Sequence, residues 1–345
     1  MNTINKIALL LVAGSVLGAT AQAKDEYTKE WEKDYSVNAD AAFKLKSKFS
    51  DVNITTWDQN TISVHFLVTV DDGNESNAQK VLDAISVKEV SANASAVSLE
   101  TMLDDKKMDD VTLVYTIKMP ASVRIDLDND FGNSFLASMT APVTVDIDYG
   151  NLRAEKLEGK GNVLNMDFSS AELDGLSDAE INMTYGNLEI DNAGKLVMKS
   201  SFSAIDIDRG VSLDVKSSYD AFEIDDIGAM SMTSSFSSAE IDKLSGSLKA
   251  ELQYGSLEVD EIAASFSSVT ITGGFSSVEI GFANGASYAL NAKVKAGEID
   301  GPNNIDANVK VSPDHMQRIL AGNVGSSPGG RRVTIDISQG SVEID

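Results

Sequence analysis

The 345-residue chain carries a formal net charge of −25 at pH 7 and no cysteine. That balance excludes tight binding to nucleic acid, whose phosphates call for Lys and Arg, and opposes docking on anionic lipid. The lack of cysteine removes disulfides, thiolate metal ligands and a cysteine nucleophile, so the fold must rest on its apolar core.

Met1 to Ala23 has the pattern of a secretory signal: Lys6 at the start, an apolar run from Ile7 to Leu17, and the small-residue motif Ala21-Gln22-Ala23. The run is too short for a membrane-spanning helix. An exported chain follows, divided as 1-23 signal peptide, 24-128 N-terminal β-rich capping domain and 129-345 β-solenoid with a C-terminal cap. Lys24 to Lys33 reads as a charged, mobile lead. Strands are expected at Phe43 to Lys46, Val52 to Thr55, Ile62 to Val70, Val97 to Met102 and Val111 to Met119. Asn74 to Ile85 reads as a helix, since Ala78, Val81, Leu82 and Ile85 keep helical spacing and Asn74 or Ser76 can cap it.

From Pro120 a repeat takes over. Phe131-Gly132-Asn133 and Tyr149-Gly150-Asn151 introduce it. Between Phe168 and Asp260 one phrase returns at steps of 17 or 18 residues: FSSAELD, YGNLEID, FSAIDID, YDAFEID, FSSAEID, YGSLEVD. Leu213, Val215, Ser217 and Tyr219 share a face at a period of two, and the phase then slips, so that Ile205 and Ile207 or Leu257 and Val259 resume it. Each unit reads as strand, kink after an inward aromatic, second strand, and a turn such as Asp191-Asn192-Ala193-Gly194. One such unit cannot bury its apolar side, so units must stack at about 4.8 Å as a parallel β-solenoid. The fold class is all-β, a parallel β-solenoid (β-helix) of about 17-residue two-strand repeats behind a small N-terminal β-rich domain with one helix. Because Tyr and Phe alternate, a 35-residue turn with separate Tyr and Phe ladders stays open beside the favoured 17.

After Tyr254 the phrases at Phe266 and Phe275 stand only nine residues apart, so the unit there has lost one strand or changed shape. Ser312 to Gly322 reads as a short helix with Ser312 as cap and Pro313 in its first turn. Gly325 to Arg332 is a loop. Gln339 to Asp345 is a last copy of the phrase without its aromatic, expected to cap the far end.

The signal, the stretch KFSDVNITTWDQNTISVHFLVTV, the FGN and YGNL series and the terminal GSVEI together resemble the putative-adhesin family of bacterial envelope β-solenoids. The resemblance covers roughly Phe43 to Asp345. It implies an exported protein in the periplasm or on the cell surface of a Gram-negative bacterium, and brings no catalytic or binding residues with it.

Within the repeat, charge is the sharpest feature. An acid lies between the two inward residues of each second strand: Glu172, Glu189, Asp206, Glu223, Glu240 and Glu258. A second column follows at Asp174, Asp191, Asp208, Asp225, Asp242 and Asp260. The candidate metal or cationic-ligand residues are Glu189, Asp206, Glu223, Glu240, Asp191, Asp208, Asp225 and Asp242, carboxylates suited to Ca²⁺. The competing reading is a charged surface that keeps a long sheet soluble and unable to pair with itself. The glycine-rich nonapeptide calcium signature is absent, so no cofactor is assigned and Ca²⁺ stands as the candidate ion. Phase places the aromatics inside, as core rather than as a sugar platform. His65 and His315 belong to no triad or zinc motif, and Arg331-Arg332 suits an intramolecular contact ahead of a local anion site.

The acids are equivalent from turn to turn, whereas glycoside cleavage needs two carboxylates in unlike surroundings. The sequence therefore points away from an enzyme and toward a binding module that uses a repetitive acidic face, with an envelope component, carbohydrate or cationic ligand as partner. A structural or stress-signalling envelope component is the alternative, and a polysaccharide-acting enzyme ranks last.

Overall fold

The computed structural model describes residues 25–103, 110–307, 309–326 and 328–345. The signal pattern of Met1 to Ala23 lies outside them. The chain forms two compact units, divided after Asn162.

In the first unit, strand Asp25–Ser36 runs antiparallel to Thr61–Asp72, which runs antiparallel to Val111–Met119. Phe66 faces Tyr115 across the second pair, with ring centroids 4.3 Å apart, and both are buried. The stretch expected to be a mobile lead is thus a strand from Asp25 onward. From Lys29 onward, Lys29, Trp31, Lys33 and Tyr35 alternate with the exposed acids Glu30, Glu32 and Asp34, and they are the less exposed set. The expected helix is present at Glu75–Ala84. The Asn74 side chain caps it by accepting the Asn77 N–H, and Ala78 and Leu82 are buried.

The same unit already contains the strand–kink–strand design. Strands Ala42–Lys48 and Ser50–Thr56 lie parallel to Arg124–Asp130 and Asn133–Leu136, which lie parallel to Val143–Asp148 and Asn151–Leu157. The joints are Phe49, Phe131 and Tyr149, with φ of 57°, 59° and 55°. Their rings stack at 5.1 and 5.0 Å. Two strands that the sequence presents as separate candidates, around Phe43 and Val52, are therefore two arms of one coil.

In the second unit, strands Asn187–Ser201, Ala204–Ser218, Ala221–Ser235 and Ser238–Gln253 form a parallel ladder. Leu188 pairs with Ile205, and Ile205 with Phe222, so one coil is 17 residues and Tyr and Phe share a single ladder. The expected turns do not leave the sheet. Asn192 sits opposite Arg209 and Ala193 opposite Gly210, and the same register resumes at Lys195 opposite Ser212. Leu188, Ile190, Leu196 and Met198 fill the interior of one coil, and Ile205, Ile207, Leu213 and Val215 fill that of the next. Each buried side chain of this kind contributes about 1.5–3 kcal/mol.

Three features of the C-terminal part differ from expectation. From Tyr254 to Phe275 the coil lengthens to 21 residues, since Leu248 pairs with Val269. No strand is lost: Phe266 sits in the added turn, buried against Phe282 and Tyr288, and is not a kink residue. The terminal phrase is not the cap. Its strand Ser341–Ile344 lies between Ser277–Phe282 and Glu298–Asp300, parallel to both, just as Arg332–Ser338 lies between Ser268–Gly274 and Tyr288–Lys295. Gln317–Val324 instead runs antiparallel along the far side of Tyr288–Lys295. Finally, Ser312 to Gly322 is a hairpin rather than a helix. Its turn is held by the Ser312 hydroxyl on the Asp314 carboxylate and by the Met316 N–H donating to the same oxygen. The short polar side chains that suggested a helix cap serve a turn.

Candidate functional site

The kinks are built by residues that sequence parity misplaces. Phe168, Tyr185, Phe202, Tyr219, Phe236, Tyr254 and Phe275 have φ between 51° and 60°, in the left-handed region. The phase slip falls on the aromatic itself, not after it. A left-handed residue swings its Cβ to the other side of the chain, so each ring points outward. All seven are 46–51 % exposed. The expectation of inward, core-filling aromatics is therefore overturned. The signal that could have shown this is the small or polar residue after every aromatic. Ser169, Ser203, Asp220, Ser237 and Ser276 are the ones that turn in and are buried.

The rings form a continuous stack. From Phe168 through Tyr185, Phe202, Tyr219, Phe236 and Tyr254 to Phe275, successive centroids lie 4.7–4.9 Å apart and planes are 2–11° from parallel. The backbone ladder continues through each kink, with Tyr185 N–H donating to Ser201 O and Phe202 N–H to Ser218 O, both at 3.0 Å. Left-handed non-glycine residues each cost about 1–2 kcal/mol. Stacked pairs return about 0.5–1.5 kcal/mol each.

Behind the rings runs a buried polar row, formed by the residue that follows each aromatic. Gly186 N–H donates to Ser203 Oγ, Asp220 N–H to Ser237 Oγ and Gly255 N–H to Ser276 Oγ. A Cβ on Gly186 would fall 1.9 Å from Ser169 O, which is why glycine is needed there. Asp220 departs from the pattern. Its carboxylate, 4 % exposed, accepts from the hydroxyls of Ser200 and Ser217 at 2.7 Å and from the N–H groups of Ser203 and Ser218 at 2.8 and 3.1 Å. Four donors thus satisfy the buried carboxyl group.

On the side after the kink, every exposed row is in register. Two residues beyond the rings stand Asn187, Ala204, Ala221, Ser238, Ser256 and Ser277, which with the rings line a long open groove. Two residues further stand the predicted acids. Glu189 pairs with Asp206, Asp206 with Glu223, Glu223 with Glu240 and Glu240 with Glu258. The column continues through Glu279 to Glu343, two coils past the repeat that sequence reading singled out. Asp191 and Asp208 are half-buried and Asp225 and Asp242 exposed, each one residue beyond a paired isoleucine. Crowding is felt most at Asp206, whose carboxyl is held above its ordinary value by partial burial and then by Glu223 and Glu189. Glu343 is also raised, chiefly by Glu279.

The side before the kink is mixed instead: Asn182, Lys199, Lys216, Thr233 and Glu251 share one row. Among the described residues, the acid and histidine groups whose ligand atoms converge within 4.8 Å are Glu30–Glu32–His65 and Glu279–Glu343–Asp345, and neither includes the eight predicted metal residues. His315 is an exposed turn residue with φ 57°. Arg331 makes the intramolecular contact expected of it, its Nε donating to Phe266 O at 3.1 Å. No helix among the described residues is long and apolar enough to cross a membrane.

No family model matches the sequence, and no curated protein matches it. Solved structures do show likeness. One is a putative adhesin from Parabacteroides distasonis, 10 % identical, with 92 % of this chain and 97 % of that chain covered and a TM-score of 0.36. A putative adhesin from Parabacteroides merdae gives 10 %, 92 %, 96 % and 0.34. A putative cell adhesion protein from Clostridium sporogenes gives 11 %, 92 %, 98 % and 0.20. At such low identity and superposition, fold and function rest on this chain's own geometry.

Proposed function

We propose that this chain is a non-enzymatic, adhesin-type binding protein of the bacterial envelope that holds a cationic ligand on the acidic side of its solenoid. The observation that carries this reading is the column from Glu189 through Asp206, Glu223, Glu240, Glu258 and Glu279 to Glu343. It contains only acids, all exposed and all in register. Repeated equivalent groups suit multivalent contact, in which each coil adds a weak interaction. They do not suit acid–base chemistry, which requires two groups held in different surroundings. Export is supported by the sequence pattern of Met1 to Ala23.

The test is binding of the protein to cationic peptides, fractionated envelope material and Ca²⁺, beside a variant with E189Q, D206N, E223Q and E240Q. Loss of binding in a variant that keeps its β-sheet circular dichroism supports the reading. Equal binding by both proteins, or by neither, makes the column a solubility device and ends it.

A further inference from the structure

The aromatic stack is the feature that the acidic-face reading leaves unused. Its seven rings together expose on the order of 700 Å² of surface, aromatic carbon apart from the hydroxyls of Tyr185, Tyr219 and Tyr254. That exceeds the largest apolar patch of an ordinary monomer and approaches the area one partner contributes to a standard interface. Glycine would make the same left-handed bend without strain, yet an aromatic stands at each of these joints.

The geometry narrows what can lie on the stack. Neighbouring rings cover one another's faces at 4.7–4.9 Å, so an approaching molecule meets ring edges. Flat stacking of a sugar, or of a cation over a ring face, needs a face that the stack has already used. Aliphatic side chains pack on edges without that requirement. A second copy of this chain carries the same formal charge of −25, so the two molecules repel as wholes. Charge therefore selects a basic partner. It also selects the side of the stack, since acids fill the row beyond the groove while the opposite side is mixed.

Rings and acids are four residues apart along each coil, at most about 13 Å, with the small row Ala204, Ala221, Ser238 and Ser256 between them. An extended polypeptide laid along that row sends successive side chains to opposite sides. One set meets the rings and the other meets the carboxylates. Both stripes are continuous, so the partner's spacing need not match the coil spacing.

We infer that the groove between the aromatic stack and the Glu189–Glu279 column seats an extended polypeptide in which aliphatic and basic side chains alternate. This rests on the acidic-face reading and names the ligand class for it. The experiment compares three synthetic peptides on the full chain by calorimetry: alternating Lys-Leu, Lys-Ser and Glu-Leu, each long enough to span the stack. A variant carrying F202N and F236N keeps residues that tolerate the left-handed region and removes two rings.

Lys-Leu should bind at least about tenfold tighter than Lys-Ser. The ring variant should lose that advantage while still binding Lys-Ser. Equal binding of Lys-Leu and Lys-Ser would sink the groove inference and leave the acidic face standing. Failure of both basic peptides would remove the acidic face as well. Binding of Glu-Leu as tight as Lys-Leu would show that charge does not select the partner. A dimer in sedimentation that the ring variant abolishes would give the stack to a second copy. Either of the last two results overturns the inference.

Discussion

The rings of Tyr219 and Phe236 lie 4.8 Å apart and 2° from parallel, and both residues hold a left-handed backbone, with φ of 60° and 57°. Stacking and strain therefore act on the same atoms with opposite sign. Phe236→Leu keeps the strained backbone and removes two stacked contacts, and should cost about 2 kcal/mol. Phe236→Gly removes the contacts and relieves the strain, and should cost less than Leu. Urea midpoints of the two variants decide the matter. A glycine variant less stable than the leucine variant would mean that the backbone there is not strained.

Asp220 is the one carboxylate turned into the kink row. Asp220→Ala leaves two hydroxyls and two N–H groups without their acceptor, at a cost of about 3 kcal/mol or more. Asp220→Ser restores what Ser203 and Ser237 do in the adjoining coils and should recover part of that loss. The check is thermal unfolding of the two variants. Serine no better than alanine would show that the carboxylate, not a generic acceptor, is needed.

How far the sequence could be read follows from these two positions. The inward faces were legible because Leu213 and Val215, or Ile205 and Ile207, keep a period of two on either side of the joint. The coil length was legible from the spacing of the phrase. The direction of the rings was not, because a strand pattern carries no mark of one residue with positive φ, and parity counted through Tyr219 puts it inside. The acidic column was legible within the repeat. Its continuation to Glu343 was not, because the chain makes an excursion through Tyr288–Lys295 and Gln317–Val324 before Ser341–Ile344 returns beside Ser277–Phe282. Only long-range pairing shows that return.

Lys29 explains the misread N-terminal strand. Its ammonium group donates to the carbonyls of Leu82 and Ile85, both at 2.8 Å, at the end of a helix with no basic residue in its own last turn. A cation there adds a donor to the carbonyls of the last turn and complements the negative end of the helix dipole. Lys29→Met keeps the stem and loses the donor, and should destabilise the first unit by about 1 kcal/mol. Amide exchange over Glu75–Ala84 should quicken more than exchange over Val111–Met119. Uniform quickening of both would assign Lys29 no special role at the helix end.

Asp206 gives the acidic column a pH dependence whose sign can be worked out. Partial burial, then Glu223 and Glu189, raise its carboxyl above the ordinary value. The folded state therefore holds the proton more tightly than the unfolded state, and stability falls as pH rises through the raised value. The stabilisation is complete below the unfolded value and absent at neutral pH. Asp206→Asn removes the charge permanently. At neutral pH and low salt it should raise stability by roughly a few tenths of a kcal/mol, a modest figure because solvent screens an exposed row. The gain should shrink with added salt and fall away as pH drops through the raised value. Denaturant midpoints of parent and variant at neutral pH and in mild acid test this. A variant less stable than the parent at neutral pH would mean that Asp206 is held by a favourable partner, and that the column is not a row of like charges under mutual repulsion.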